Sequence, residues 1–154
     1  MTNNIINMLY FLSFLSFNAG ELPIGAIICK EGNILSMSQN FCERSNSPIE
    51  HAEILAIKKA IQRYNRWYIQ GSTIYCSLEP CLMCAGAIIE CKIKNVIFCV
   101  SSKNSTRQIL ESNDIFCIEM FDERFRNLIE RFFKEIRNKK KFIHHVQNKY
   151  VKGH

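Results

Sequence analysis

The hydrophobic positions along the chain alternate between short apolar runs and apolar residues at helical spacing. Runs of strand length lie at residues 22–29, 34–40, 72–78, 96–100 and 115–120. Apolar residues recur at helical spacing in three segments. The first starts at His51, the second extends from Cys81 to about Cys91, and the third extends from Phe121 to about Lys141. The turn signal Glu31-Gly32-Asn33 joins the first two strands into a hairpin, and residues 41–50 and 101–114 are polar loops. This order of elements predicts an α/β sandwich around one mixed sheet.

The first apolar segment, residues 5–17, contains no charged residue and admits two interpretations. One is the core of a signal peptide, but the first basic residue is Lys30, so no positively charged segment precedes it. A membrane span needs about 20 residues, which is longer than this segment. We therefore favour a helix that packs on the sheet, and we expect no membrane span.

Length and cysteine content fit a single domain in a reducing compartment. The chain has 154 residues and is 47% apolar, enough for one substantial core. Eight cysteines would suggest disulfides in a secreted protein, but several lie in apolar runs such as residues 27–29 and 98–100. Buried free thiols explain this placement better, and they predict a cytoplasmic protein.

The net charge of +6 is concentrated at the C-terminal end. Residues 131–154 hold eight basic residues and one acid, so the rest of the chain is nearly neutral. A basic end suggests a polyanionic partner, although a solvated end is the simpler interpretation of the charge alone. We expect a domain at residues 1–141 that includes a basic helix, followed by a frayed basic tail at residues 142–154.

Two short motifs carry the candidate chemistry: His51-Ala52-Glu53 and Pro80-Cys81-Leu82-Met83-Cys84. One imidazole and two thiolates are three ligands for zinc, and three protein ligands leave the fourth position open, as in catalytic sites. Glu53 lies in the first turn of its predicted helix, close enough to exchange a proton with water at the metal. The combination H-x-E and P-C-x-x-C is a signature of zinc-dependent nucleobase deaminases.

A closed structural zinc site is the alternative to this open one. Six further cysteines are available as a fourth ligand: Cys29, Cys42, Cys76, Cys91, Cys99 and Cys117. None of them forms a second C-x-x-C motif, so the spacing favours the open site.

Longer stretches around the motifs resemble the bacterial tRNA-specific adenosine deaminases of the cytidine deaminase-like superfamily. They comprise residues 21–28, 51–57 and 77–89, with Asn40 and Phe132-Phe133-Lys134. The resemblance implies a three-layer α/β/α sandwich around a single mixed five-stranded sheet, one zinc ion per chain and a homodimer. It also implies hydrolysis of adenosine to inosine at the wobble position of a tRNA, with the anticodon stem-loop as partner.

The resemblance further implies roles for individual residues. His51, Cys81 and Cys84 would hold zinc, and Glu53 would be the catalytic proton carrier. The implied substrate-binding residues are Asn40, Ile24 and Ala52 at the flipped base, and Phe133 and Lys134 at the anticodon. The sequence departs from the family at Val100-Ser101-Ser102, where Ala-Arg-Asp is usual, and at Arg131, where an aspartate is common.

Two other functions fit part of the sequence. A deaminase of a free base or nucleoside, such as guanine, cytosine or cytidine, needs no basic helix at residues 131–141. A non-catalytic zinc protein that binds RNA has no use for Glu53. The presence of both features favours the tRNA deaminase over these alternatives.

Overall fold

A computed structural model describes the backbone of residues 2–151 and the side chains of residues 2–140. This part of the chain contains five strands: β1 (Gly25–Lys30), β2 (Asn33–Gln39), β3 (Thr73–Cys76), β4 (Asn95–Phe98) and β5 (Phe116–Glu119). They form one sheet in the order β2-β1-β3-β4-β5. Strand β1 is antiparallel to β2 and β3, whereas β3, β4 and β5 are parallel. The predicted mixed five-stranded sheet is therefore confirmed.

Helices cover both faces of this sheet. They are α1 (Thr2–Asn18), α2 (Cys42–Ser45), α3 (Ala52–Tyr64), α4 (Leu82–Glu90), α5 (Arg107–Glu111) and α6 (Glu123–Val151). One core packs α3 and α4 against the sheet through residues such as Ala56, Ile88 and Val96. The other packs α1 and the start of α6 against the opposite face through residues such as Leu9 and Phe125. The predicted three-layer sandwich is confirmed, and the short helices α2 and α5 occupy segments predicted as loops.

The apolar N-terminal segment forms α1 and packs on the sheet, as we favoured over a signal-peptide core. Its buried residues include Leu9 and Leu12. A Cβ atom at Gly25 would lie 2.8 Å from the Leu12 Cβ, so the close approach of α1 to β1 requires glycine there. Within the described residues, none of the helices is both long enough and apolar enough to cross a membrane.

The hairpin and the parallel strands position the two chemical motifs. Glu31 and Gly32 both have positive φ angles, which a two-residue hairpin turn of type I′ requires. The crossover from β3 through α4 to β4 is the β-α-β unit predicted from sequence. Because β3 and β4 are parallel, the segments that follow them leave the same edge of the sheet, and Cys81 lies in the first of these.

The last helix differs from its predicted length. Helix α6 continues to Val151, about ten residues beyond the expected end and into the segment predicted as a tail. The division at residue 141 stays a prediction, because residues 152–154 and the side chains of residues 141–151 lie outside the described part of the chain.

Candidate active site

The three predicted zinc ligands lie at the N-terminal ends of two helices. His51 is the N-cap of α3 and Cys81 is the N-cap of α4, and neither side chain makes the usual capping hydrogen bond. Cys84 is buried in the first turn of α4. Serine, threonine, aspartate and asparagine are the residues that normally cap helices. A histidine caps one helix and a cysteine caps the other, and neither side chain is engaged with the helix backbone. Both side chains are therefore free to bind a metal ion.

The cluster has the dimensions of a tetrahedral zinc site. The His51 Nδ1 atom lies 3.6 Å from the Sγ atoms of both Cys81 and Cys84. Zinc–nitrogen bonds of about 2.0–2.1 Å and zinc–sulfur bonds of about 2.3 Å predict a separation of about 3.5 Å at the tetrahedral angle. Among the described residues, these three form the one group of potential metal ligands, with all ligand atoms within 4.8 Å. No further cysteine joins them as a fourth ligand, so the donor set fits the open zinc site and not the closed one.

Hydrogen bonds within the cluster change the pKa values of its members. Hydrogen bonds with Cys84 and His51 lower the pKa of Cys81 to about 3. The same hydrogen bond with Cys81, followed by burial, raises the pKa of Cys84. The pKa of His51 is raised, chiefly by its hydrogen bond with Cys81. One thiolate is thus formed readily, and binding of zinc to both sulfurs releases the second proton.

Glu53 lies on the first turn of α3 with its carboxyl group buried. The residue is 4% exposed, and its Oε2 atom has no hydrogen-bond partner among the described residues. Burial raises the pKa of Glu53. An unpartnered buried carboxylate oxygen is costly, and such atoms are rare away from functional sites. This atom is placed to hold a proton or to bind a water molecule beside the cluster.

The predicted base-binding residues are joined to the cluster by two hydrogen bonds, one of which uses the Asn40 side chain. The Asn40 Oδ1 atom accepts a hydrogen bond of 3.1 Å from the Ala52 N–H, directly after His51. The Asn40 N–H donates in turn to the Ile24 carbonyl at 3.0 Å. All three residues are buried, and Ala52 is fully so. The structure therefore brings Asn40, Ile24 and Ala52 together next to His51.

Two buried glutamates fix the loops that border this centre, and sequence reasoning assigned neither of them a role. Glu21 is fully buried and accepts hydrogen bonds from the N–H groups of Glu43 and Arg44, which holds α2 in place. Glu79 accepts from the N–H groups of Ser102 (3.0 Å), Thr106 (2.9 Å) and Arg107 (3.1 Å) and from the Ser105 hydroxyl. Both belong to the stretches that carry the family resemblance, which was the signal available in the sequence. The serine that departs from the family at position 102 is thereby tied to the zinc motif through its backbone.

Phe133 and Lys134 lie apart from these residues, in a groove between α6 and the segment after β4. The groove has a volume of about 940 Å³, and its lining residues include Leu78, three residues before Cys81. Its basic lining residues are Lys103, Arg126, Arg131, Lys134 and Arg137. Phe133 is 45% exposed, whereas Phe132 is buried and packs on Phe17. Only the second of the two phenylalanines is therefore available to a ligand.

Comparisons with known proteins agree with this site. The family model of the cytidine and deoxycytidylate deaminase zinc-binding region matches residues 6–100. A tRNA-specific adenosine deaminase of Aquifex aeolicus (strain VF5) is 40% identical over 132 residues, which cover 80% of this chain and 87% of the relative. A tRNA-specific adenosine deaminase of Bacillus subtilis (strain 168) is 33% identical over 132 residues, or 79% of this chain and 82% of the relative.

A similar fold is found in a solved structure from a study of A-to-I editing by tRNA:A34 deaminases at the wobble position. It has a TM-score of 0.76 and 20% identity, and it covers 82% of this chain and 99% of that one. At this identity the likeness shows the fold alone.

We expect purified protein to contain about one zinc ion per chain, measured by inductively coupled plasma mass spectrometry. Cys84→Ala should lose most of the metal, because two protein ligands hold zinc far less tightly than three. Cys91→Ala is the matched control, since Cys91 follows the same helix outside the cluster, and it should keep its zinc. A Cys84→Ala variant with a full complement of zinc would contradict the assignment.

Proposed function

The chain belongs to the cytidine and deoxycytidylate deaminase family and, within it, to the tRNA-specific adenosine deaminases, and from this membership we propose that it hydrolyses adenosine to inosine at the wobble position of a tRNA anticodon. The observation that carries the proposal is the unpartnered Oε2 atom of Glu53 beside three potential zinc ligands. A purely structural zinc site has no use for a buried carboxylate. The A-to-I reaction at a wobble adenosine is the one named for a protein of the same fold.

Glu53 is the proton carrier of the proposed reaction. Zinc, when bound, supplies the Lewis acidity that activates a water molecule near neutral pH. Glu53 accepts a proton from this water and delivers it to a ring nitrogen of adenine as the hydroxide adds to C6. It then takes the remaining proton of the new C6 hydroxyl group and passes it to the amino group, so that the C6–N bond breaks, ammonia leaves and the carbonyl group of inosine forms. Burial suits this role, because the raised pKa of Glu53 lets it hold the proton between the two transfers.

Asn40 is proposed to recognise the flipped base. Its Oδ1 atom is already engaged by the Ala52 N–H. Its Nδ2 atom faces only the Cys42 Sγ atom, a weak acceptor at 3.8 Å, and so remains able to donate to the base. Ile24 and Ala52 act by fixing Asn40 and by bounding the base with apolar surface. An anticodon loop is already single-stranded, so moving its base into such a site costs little.

The basic groove along α6 is proposed to bind the anticodon arm. Lys103 comes from one wall, Lys134 and Arg137 come from the other, and Phe133 offers an exposed ring on the same helix as these two. Basic side chains bind phosphates, and an exposed aromatic ring stacks on an unpaired base. Arg131 contributes less than its sequence position suggests, because it pairs with Glu135 and lies over the Phe17 ring.

A homodimer is proposed from the apolar surface beside the zinc ligands. Leu82 is 66% exposed and Met83 is 36% exposed, although both follow Cys81 directly. Ile49, two residues before His51, is 52% exposed. A second copy of the chain on this surface would bury all three residues and enclose the centre.

A cytoplasmic location stays a prediction. It is supported by the cysteines, because all eight are free thiols and four of those outside the cluster are buried. Such thiols persist in a reducing compartment.

The substrate is tested with an anticodon stem-loop RNA that carries adenosine at the wobble position. We expect inosine in this RNA, detected by mass spectrometry, and little turnover of guanine or cytidine at equal concentration. Glu53→Gln should lower the rate by about 10²–10⁴, the usual contribution of a positioned proton carrier, while the zinc content is unchanged.

Glu50→Gln is the control for this change, since Glu50 pairs with Lys58 and lies outside the cluster. Wild-type turnover by Glu53→Gln would remove this residue from the mechanism, and loss of its zinc would show that its role is structural. Faster conversion of guanine than of the RNA would favour the free-base deaminase.

The groove is tested by changing Lys103, Lys134 and Arg137 together to glutamine. Because each phosphate contact releases counterions, the affinity for the stem-loop should fall, and its dependence on salt concentration should become shallower. A control with Lys58, Lys92 and Lys94 changed to glutamine loses the same charge outside the groove. Equal effects of the two triple changes would show that net charge, and not the groove, attracts the RNA.

The dimer is tested by sedimentation velocity at micromolar concentration. We expect a mass of two chains for the wild type and a shift toward one chain for Leu82→Glu, because a buried charge opposes the apolar contact. A wild-type protein that sediments as a single chain would contradict the homodimer.

A further inference from the structure

At the far end of the sheet from the zinc ligands, exposed aromatic rings lie beside two cations. Trp67 is 86% exposed and Tyr68 is 54% exposed, in the segment between α3 and β3. They border a cavity of about 400 Å³ whose lining residues are Lys30, Tyr64, Arg66, Trp67, Tyr68 and Gln70. Helix α3 begins beside the cluster and ends at Tyr64, so its 13 residues separate the two places by roughly 20 Å.

The cations are held over an aromatic ring and not by carboxylates. The Lys30 Nζ atom lies 4.7 Å from the centre of the Tyr64 ring, and the Arg66 Cζ atom lies 5.9 Å from it. Neither residue belongs to any of the ion pairs of the described residues. Residues 54–78 contain four basic residues and no acid, and the nearest acid in sequence to Lys30 is Glu31 in the hairpin turn. The surface is therefore both aromatic and positively charged.

We propose that this aromatic–basic patch, formed by Lys30, Tyr64, Arg66, Trp67 and Tyr68, binds unpaired nucleotides of RNA at a second site. Exposed indole and phenol rings supply faces on which bases stack, and the two cations supply partners for the phosphates. If the partner were a protein, the aromatic rings would lie in the core of the interface, where lysine is uncommon. Here Lys30 lies within the cavity itself, and this combination of charge and rings fits a polyanion that carries planar bases.

The single tryptophan of the chain makes the patch directly observable. We would titrate the whole protein with a uridine-only oligonucleotide of about 12 nucleotides, within the range bound by single-strand binding modules. The expected result is saturable quenching of the Trp67 fluorescence that weakens as salt rises. Because this probe contains no adenosine, the experiment does not depend on deamination, and the two proposals fail separately. Binding without a change in Trp67 emission would place the RNA elsewhere and overturn the proposal.

Variants then separate stacking at the patch from general attraction. With a labelled form of the same oligonucleotide, Trp67→Ala should weaken binding roughly fivefold or more, the lower end of what base–aromatic stacking contributes. Phe11→Ala, which removes a ring that is 57% exposed on α1, should bind like the wild type. An equal loss in both variants would overturn the proposal, as would a Trp67→Ala variant that binds the RNA normally but no longer self-associates.

Discussion

The structure depends on the meeting of two helix N-termini at one edge of the sheet. The caps of α3 and α4 are His51 and Cys81, and neither caps its helix through its side chain. Both helices therefore direct the positive ends of their dipoles at the same small volume. This field favours the Cys81 thiolate, and it opposes without cancelling the burial that raises the pKa of Glu53. Zinc held there would gain its third ligand from Cys84, and Glu53 is fixed beside it because both residues lie in the first turns of these helices.

The surrounding fold keeps this meeting point rigid on one side and open on the other. Strand β3 leads to Cys81, and the Glu79 N–H donates to the Val100 carbonyl at 2.8 Å, which connects the start of the zinc motif to the segment just after β4. The buried carboxyl groups of Glu21 and Glu79 then tie down the two bordering segments, the first at α2 and the second between Ser102 and the start of α5. A substrate approaching from the open side thus meets loops whose backbone is already fixed, which reduces the entropy lost on binding.

Local patterns in the sequence predicted the parts of this arrangement that depend on spacing. His51, Cys81 and Cys84 form one cluster as expected, because each motif lies within a single helical turn. The helices α3 and α4 follow β2 and β3, which run in the same direction, so both helices begin at the same edge of the sheet. The strands followed from the apolar runs, and the packing of α1 followed from an apolar segment too short to span a membrane and without a preceding basic residue. The hydrogen bonds of Glu21 and Glu79 join segments more than 20 residues apart and leave no periodic signal. Periodicity also did not reveal α2 and α5. These two helices are short and together contain a single buried residue, Leu110, so they have no apolar face that a pattern could show.

The account rests on an open zinc site with two sulfur ligands, and X-ray absorption spectroscopy at the zinc edge of the purified protein tests this directly. We predict two sulfur atoms at about 2.3 Å and two nitrogen or oxygen atoms at about 2.0–2.1 Å, with the oxygen from solvent. A spectrum with three or four sulfur atoms would mean that a further cysteine closes the site, and it would contradict the account.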